Sequence, residues 1–354
     1  MKKIKVLIID DSALIRKILS EMLSSDPEIE VVGTASDPYI ARTKIKELNP
    51  DVLTLDVEMP RMDGITFLSN LMRLRPMPVV MVSSLTEKGA DITLQALEIG
   101  AIDFVTKPSI DLAHTISDYS REIIEKVKNA STARVQNYTP NKINVVEKNS
   151  ADVVLLKKTK IKNFKTTEKI IAIGASTGGT EAIKNVLSKM PVNSPGIVIT
   201  QHIPEAFSKK FADRLNNQLG LTVYEAEDGQ QIIPGHVYIA PGDQHLIIER
   251  SGARYLCKLN NGPPVNRHKP SVDVLFRSVA QNVGPNAIGV ILTGMGDDGA
   301  LGLKEMHDAG AKTIAQDEKT SVVWGMPGSA VNKGGVDSVE SLHDIPKKII
   351  DLLG

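Results

Sequence analysis

The sequence predicts an α/β chain in two parts: a five-stranded, doubly wound parallel sheet at the N-terminus and a second, mostly parallel α/β unit at the C-terminus. Three observations carry this. The chain has 354 residues, more than one domain of the usual ~100–200. Short apolar runs alternate with amphipathic stretches five times within residues 1–125, and that alternation requires crossover helices between parallel strands. Charge is unevenly spread, although 42 Lys+Arg balance 42 Asp+Glu overall. Residues 1–125 hold 14 basic and 20 acidic side chains, residues 126–169 hold 11 and 3, and residues 170–354 hold 17 and 19. The basic excess therefore falls on a connector between two mildly acidic units.

In the first unit, residues 6–9, 31–35, 52–55, 79–82 and 102–105 read as strands. Leu14, Ile18 and Met22 recur at i, i+4 and i+8, one face of a helix. Met59-Pro60 and Asp63-Gly64 mark turns after the third strand. Residues 126–169 lack a sustained period and are rich in Lys, Asn, Thr and Ser, the composition of a flexible linker. Only Val153-Val154-Leu155-Leu156 interrupts it.

The second unit opens with a strand at 170–173, a glycine-rich turn at 174–179 and a helix at 180–190. A strand at 196–200 leads into a helix from 204 to about 219. Residues 237–240, 246–249 and 255–259 are short and turn-separated, so they are expected to form an antiparallel excursion. A helix at 271–283 follows, then a strand at 287–292, a glycine-rich turn at 294–299 and a helix at 300–309.

Several function classes are excluded. One cysteine rules out a disulfide framework and a four-cysteine zinc site, and it fits a reducing cytoplasm. No apolar run approaches the ~18–20 residues of a membrane span. The apolar run at 6–9 is too short for a signal-peptide core and runs into two aspartates. The second unit is net acidic and lacks a helix-turn-helix signature, which argues against nucleic acid as a partner.

Candidate site residues collect at strand ends, where doubly wound sheets place their ligands. Asp10 and Asp11 follow the first strand, Asp56 the third, Ser83 the fourth and Lys107 the fifth. Singly, Asp10 and Asp11 would pass for helix caps and Lys107 for a loop lysine. Together they make a carboxylate cluster suited to Mg²⁺, with a hydroxyl and a cation beside it, the setting of phosphoryl transfer. Residues 1–125 thereby resemble a response-regulator receiver domain, on Asp10-Asp11, Asp56, Met59-Pro60, Asp63-Gly64, Ser83, Phe104 and Lys107-Pro108. The resemblance implies a flavodoxin-like fold with Asp56 as phosphoacceptor from a histidine kinase. It implies Mg²⁺ on Asp10, Asp11, Asp56 and the Glu58 carbonyl, phosphoryl contacts from Ser83 and Lys107, and Phe104 as the switching aromatic.

In the second unit, Gly174-Ala175-Ser176-Thr177-Gly178 fits G-x-S-x-G between a strand and a helix, where a sharp turn exposes a nucleophilic serine. A glycine-rich anion-binding turn for a nucleotide is an equal reading of that motif alone. A serine needs a base, and His202, His236, His245, His268, His307 and His343 are candidates. His202 ends a strand on the same edge; His268 is its rival. Asp297 or Asp298, after the strand at 287–292, would orient the imidazole, unless capping the next helix accounts for it. The order Ser…His…Asp differs from that of α/β-hydrolases, and geometry rather than order defines a triad.

Residues 170–354 resemble the catalytic domain of the chemotaxis protein-glutamate methylesterases (CheB). The matching stretches are Ile173-Gly174-Ala175-Ser176-Thr177-Gly178-Gly179-Thr180-Glu181, Gln201-His202, Ala240-Pro241-Gly242-Asp243, Arg267-His268-Lys269-Pro270-Ser271-Val272-Asp273 and Leu292-Thr293-Gly294-Met295-Gly296-Asp297-Asp298-Gly299. The resemblance implies Ser176 as nucleophile, His202 as base, Asp298 as orienting acid and backbone N–H groups of Thr177 and Met295 as oxyanion donors. It implies a cytoplasmic hydrolase of glutamyl methyl esters on chemoreceptors, also deamidating receptor glutamines, with no cofactor for the hydrolysis. The unphosphorylated receiver is expected to cover the active site until Asp56 is phosphorylated. The alternative is a receiver with a nucleotide-binding, non-hydrolytic output domain.

Overall fold

In the first unit, the strands are β1 (Ile4–Ile9), β2 (Ile29–Ala35), β3 (Val52–Asp56), β4 (Val79–Ser83) and β5 (Asp103–Thr106). They alternate with α1 (Ala13–Ser24), α2 (Pro38–Leu48), α3 (Gly64–Leu74), α4 (Glu87–Ile99) and α5 (Ile116–Thr132). The sheet order is β2-β1-β3-β4-β5, all parallel, so β1, β3 and β4 are interior. Every residue of β3 and β4 is buried, which is why these strands read as continuous apolar runs rather than alternating ones. The helices start where short polar side chains reach the first turn. Asp37 accepts from Tyr39 and Ile40 N–H with Pro38 at the first helical position, and Asp63 accepts from Thr66 N–H. The computed structural model describes residues 3–57, 59, 62–83, 87–107, 116–133, 151–155 and 168–354. The chain divides into units 1–141 and 142–354.

The linker was expected to begin at residue 126, but α5 runs on to Thr132. Tyr119, Ile123, Val127 and Ala130 are buried at helical spacing, so the apolar face crosses the expected boundary. Two lysines assigned to the linker belong to this helix. Lys126 pairs with Asp103 and Glu122, and Lys128 with Asp26 and Glu28. They offset part of the acidic excess of the first unit from within.

In the second unit, a seven-stranded parallel sheet has the order β15-β14-β13-β6-β7-β10-β8. Its strands are β6 (Ile170–Ala175), β7 (Gly196–Gln201), β8 (Thr222–Glu225), β10 (His236–Ile239), β13 (Ala287–Ile291), β14 (Lys312–Gln316) and β15 (Ser338–Glu340). A small antiparallel sheet joins β9 (Gln231–Ile232), β11 (His245–Ser251) and β12 (Arg254–Asn260). The helices are α6 (Gly179–Leu187), α7 (Glu205–Gln218), α8 (Val272–Asn282), α9 (Ala300–Asp308), α10 (Gly325–Asn332) and α11 (Ile345–Leu353). One antiparallel expectation is corrected. The strand at 237–240 is β10, which pairs in parallel with both β7 and β8. Its connection from β8 passes through β9 rather than through a helix, so the usual signal of a parallel crossover is missing.

The apolar run inside the linker also has a structural place. Residues 151–155 form a short turn on the second unit, where Ala151 and Val154 join Ile247, Val265 and Val274 in a small core. Arg277 of α8, fully buried, holds Glu305 of α9 through two parallel hydrogen bonds (Nε–Oε2 2.8 Å, Nη2–Oε1 2.7 Å). Its Nη1 donates to Asp152 Oδ1 (2.8 Å) and Leu155 O (3.0 Å). The described part of the basic linker thus docks through an acid. Among the described residues no helix is long and apolar enough to cross a membrane.

Truncating Arg277 to Met leaves the Glu305 carboxylate buried without its guanidinium, and is expected to cost about 3–5 kcal/mol. Asp152→Asn removes only the half-exposed partner and is expected to cost under about 1 kcal/mol. Urea unfolding of the full chain, followed by fluorescence of the sole tryptophan, Trp324 in the second unit, measures both. Equal losses would refute this ranking.

Candidate functional site

Parallel pairing brings the carboxyl ends of β6 and β7 side by side, with Ala175 opposite Gln201, so Ser176 and His202 leave the sheet as neighbours. The His202 N–H donates to Ala175 O (3.2 Å), and the Ser176 N–H to Thr293 O (3.0 Å). Gln201, buried between them, donates from Nε2 to Ser176 O (2.9 Å) and His202 O (3.2 Å). Ser176 itself is partly accessible.

The imidazole of His202 is fixed from one end. Its Nε2 lies 2.8 Å from Asp298 Oδ2, while Nδ1 is buried and makes no hydrogen bond among the described residues. Asp298 accepts from four further donors: Val272 N (2.7 Å), Asp273 N (3.2 Å), Ser271 Oγ (2.8 Å) and Asn266 Nδ2 (2.9 Å). Burial alone would push its carboxyl up. Hydrogen bonds from His202 and Asn266 and the charges of His202 and His268 outweigh burial and hold the group well below the usual carboxylate range. An ionised acceptor at Oδ2 places the imidazole proton on Nε2. Nδ1 is then the nitrogen with a lone pair to offer.

Asp298 does not cap the helix that follows it. It sits at the N-terminus of α8 instead, taking the orphan N–H groups of the first turn, where the helix dipole favours an anion. Ser271, at the N-cap position of α8, makes no cap bond of its own because its hydroxyl is spent on Asp298. Asp297 is half-buried beside it.

The other histidines separate by environment. His245 is fully buried; its Nδ1 accepts from Ser271 N–H (3.1 Å) and its Nε2 donates to Pro263 O (3.0 Å), a structural role. Burial pushes its pKa down. His236 bonds Pro234 O, His307 lies beside Asp308 and Asp337, and His343 is exposed. His268 stacks on His202, with ring centroids 3.7 Å apart and planes 10° from parallel.

The loop carrying Met295 is built against Ser176. A Cβ on Gly294 would come within 2.8 Å of Ser176 Cβ and 2.3 Å of Met326 Sδ, so only glycine allows this approach. Thr293 N–H donates to Gln316 Oε1 (2.8 Å), and its hydroxyl donates to Thr177 O (3.0 Å). Gly325 and Met326 N–H both donate to Gly294 O, and Trp324 Nε1 donates to Gln316 O (2.9 Å). The glycines of the 174–179 turn face protein atoms. A Cβ would meet Val272 at 2.2 Å from Gly174, Val322 at 2.6 Å from Gly178 and Gln201 at 2.1 Å from Gly179. The nucleotide reading of this turn fails on that ground, because side chains of the chain itself occupy the space. Sequence reasoning missed the roles of Gln201, Asn266, Ser271, Gln316 and Trp324; Gln201 and Ser271 sat inside quoted motifs, Asn266 immediately before one, and residues 310–354 carried no motif.

In the first unit, Asp10 and Asp56 are buried and Asp11 is exposed, with one carboxylate oxygen of each within 4.8 Å of the others. A Cβ on Gly64 would fall 2.1 Å from Asp56 O, so glycine lets α3 start against that strand end. Lys107 Nζ lies 2.8 Å from Asp56 Oδ2 and 3.5 Å from Asp10 Oδ2. Burial works against the lysine charge, but Asp56 and then Asp10 outweigh it and raise its pKa. Burial likewise raises Asp10 in spite of Lys107. Asp10 Oδ2, buried and without a hydrogen bond among the described residues, fits a site for a hard divalent cation. Glu58 lies outside the described residues. Ser83 Oγ lies 2.6 Å from Thr93 Oγ1 and 3.3 Å from Gly89 O, so its hydroxyl faces α4. Phe104 is buried, with Lys126 Nζ 5.0 Å from its ring centroid.

Comparison with known proteins agrees with both halves. Residues 171–349 match the CheB methylesterase family model and residues 6–120 the response regulator receiver domain model. A protein-glutamate methylesterase/protein-glutamine glutaminase of Hydrogenovibrio crunogenus is 60% identical over 374 residues, covering all of both chains. One from Geobacter metallireducens is 59% identical over 350 residues, 99% of this chain and 96% of that one. The crystal structure of the Thermotoga maritima CheB methylesterase catalytic domain, 40% identical, superposes with a TM-score of 0.52 over 53% of this chain and all of its own. The chain therefore belongs to the CheB methylesterase family, as a member that carries a response regulator receiver domain ahead of the methylesterase domain.

Proposed function

We propose that this chain hydrolyses glutamyl methyl esters on chemoreceptors and deamidates receptor glutamines, using Ser176, His202 and Asp298, with phosphorylation at Asp56 raising the rate. The observation that carries the reading is the imidazole of His202, with Nε2 on the Asp298 carboxylate and Nδ1 unoccupied at the strand end beside Ser176. Ser176 Oγ attacks the ester carbonyl and its proton passes to Nδ1. Backbone N–H groups of Thr177 and Met295 hold the oxyanion, each such donor being worth roughly 10²–10³ in rate. Methanol leaves with the proton from Nδ1, and water then repeats the sequence on the acyl-serine. With an amide the leaving group is ammonia. The names of the 59–60% identical relatives support both substrates.

In the receiver half, Asp56 takes a phosphoryl group from a histidine kinase. Asp10, Asp11 and Asp56 would hold Mg²⁺, which when bound offsets the charge of the carboxylates and of the phosphoryl oxygens. Lys107 already reaches Asp56 and pairs with a phosphoryl oxygen. The Ser83 hydroxyl does so by turning from Thr93, and Phe104 moves with it. Phosphorylation adds about −1.5 to −2 charges, enough to bias the receiver to a second state that releases the hydrolase. Residues 126–169 are proposed as the connection through which this acts, less the part of α5 that they contain. Its one cysteine, Cys257, is buried and free, in keeping with a cytoplasmic site of action.

Ser176→Ala is expected to lower methanol release from methylated receptors on the order of 10⁴-fold or more, while phosphate uptake at Asp56 persists. Retained turnover would remove Ser176 from its role. Asp56→Asn, or chelation of Mg²⁺, is expected to abolish the increase in methanol release on adding a small phosphodonor while leaving the basal rate; a variant still stimulated would refute control through Asp56. Gly294→Ala forces Met326 or Ser176 to move, and is expected to lower kcat about 10²-fold with phosphorylation intact. A rate within twofold of the parent would show that the close approach at Gly294 is unimportant.

A further inference from the structure

A two-residue hairpin turn stands over the His202–Asp298 pair. Val265 N–H donates to His268 O (3.0 Å) and His268 N–H to Val265 O (2.8 Å). The two residues between are both left-handed, Asn266 at φ 51° and Arg267 at φ 72°, as a type I′ turn requires. Val265, at the base, is fully buried against Ala151, Ile247 and Val274. The turn is therefore held from below while its residues reach the site.

Asn266 spends both amide hydrogens on buried carboxylates. Nδ2 lies 2.6 Å from Asp273 Oδ2 and 2.9 Å from Asp298 Oδ1. Asp273 Oδ1 accepts in turn from Gly302 N–H (2.7 Å). Two carboxylates in one buried site repel each other, and an NH₂ group between them offers each a proton. Turn geometry by itself does not explain the residue. Glycine or aspartate would suit a left-handed position as well, but glycine brings no donor and aspartate would add a third carboxylate.

We propose that Asn266 is a positioning residue for the His202–Asp298 pair: its amide ties Asp298 Oδ1 to Asp273, leaving Oδ2 aimed at His202 Nε2. This rests on the reading that the pair serves Ser176. The charged and titratable groups around the two carboxylates are His202 after β7, His245 on β11, His268 and Lys269 after the turn, Arg277 on α8 and Glu305 on α9. None of these groups is altered by changing Asn266.

The test uses the full chain with Asn266→Gly and Asn266→Asp. Glycine keeps the left-handed backbone and deletes the amide. Its kcat for methyl-ester hydrolysis is expected to fall on the order of 10–100-fold, as when groups behind a metal-bound side chain are removed, with KM within twofold. Asn266→Asp should lose at least as much. The unfolding midpoint of Asn266→Gly, followed at Trp324, should fall, because two buried carboxylates each lose a donor, so the rates are compared well below both midpoints, where both proteins are fully folded. Parental kcat in folded Asn266→Gly would overturn the proposal, and so would a fall in kcat/KM carried by KM alone. Turnover that survives Ser176→Ala would instead sink the nucleophile assignment.

Discussion

The second unit is organised around one buried anion. A carboxylate taken out of water costs on the order of several kcal/mol unless donors replace the solvent. Asp298 is met by five: one imidazole, one amide, one hydroxyl and two N–H groups at the start of α8. The donors come from three places in the chain, the end of β7, the 265–268 turn and residues 271–273 at the start of α8, so satisfying this group also specifies how these meet the loop after β13. The same bonds set the tautomer of His202 and leave Nδ1 without a hydrogen bond among the described residues. The packing of the site and the state of its imidazole are consequences of one requirement.

Close packing does the rest. Gly174, Gly178, Gly179, Gly294 and Gly325 are places where another side chain or backbone segment occupies the room of a Cβ. The G-x-S-x-G pattern is therefore a packing pattern at least as much as a turn pattern. Its glycines admit Val272 from α8 and Val322 from the segment before α10, and Gly179, directly after it, admits Gln201 from β7. This explains how one short motif serves sheets of different topology: what it supplies is proximity between a nucleophile-bearing turn and its neighbours.

Much of this was legible in the sequence, for identifiable reasons. Buried parallel strands are continuous apolar runs, and β1, β3, β4, β6, β7 and β13 could be placed within about two residues. Strand-end positions singled out Ser176, His202 and Asp298, and the sheet order brings the ends of β13, β6 and β7 together. The parallel pairing of β10 was not legible, because its connection contains a strand and no helix. The end of α5 was missed because a charge boundary was drawn at Lys126, through the middle of a helix whose buried face is Tyr119, Ile123, Val127 and Ala130. Asn266 was visible only as a neighbour of His268. No local pattern announces an amide that bridges residues 7 and 32 positions away.

The two strand-end sites treat carboxylates in opposite ways, and the contrast follows from what each must do. Asp298 is met by five donors and is held ionised, well below the usual carboxylate range. Asp10 is buried with one oxygen short of a hydrogen bond, and burial lifts its pKa above the usual range even with Lys107 nearby. That is a poorly satisfied anion, which gains from any cation that enters. A cluster left unsatisfied in this way can respond to a metal ion and a phosphoryl group, because their arrival changes its energy substantially. A carboxylate already saturated with donors would respond little. One chain thus holds an under-satisfied carboxylate and a saturated one, each at the carboxyl edge of its own parallel sheet, and the difference lies in how many donors the surrounding loops provide.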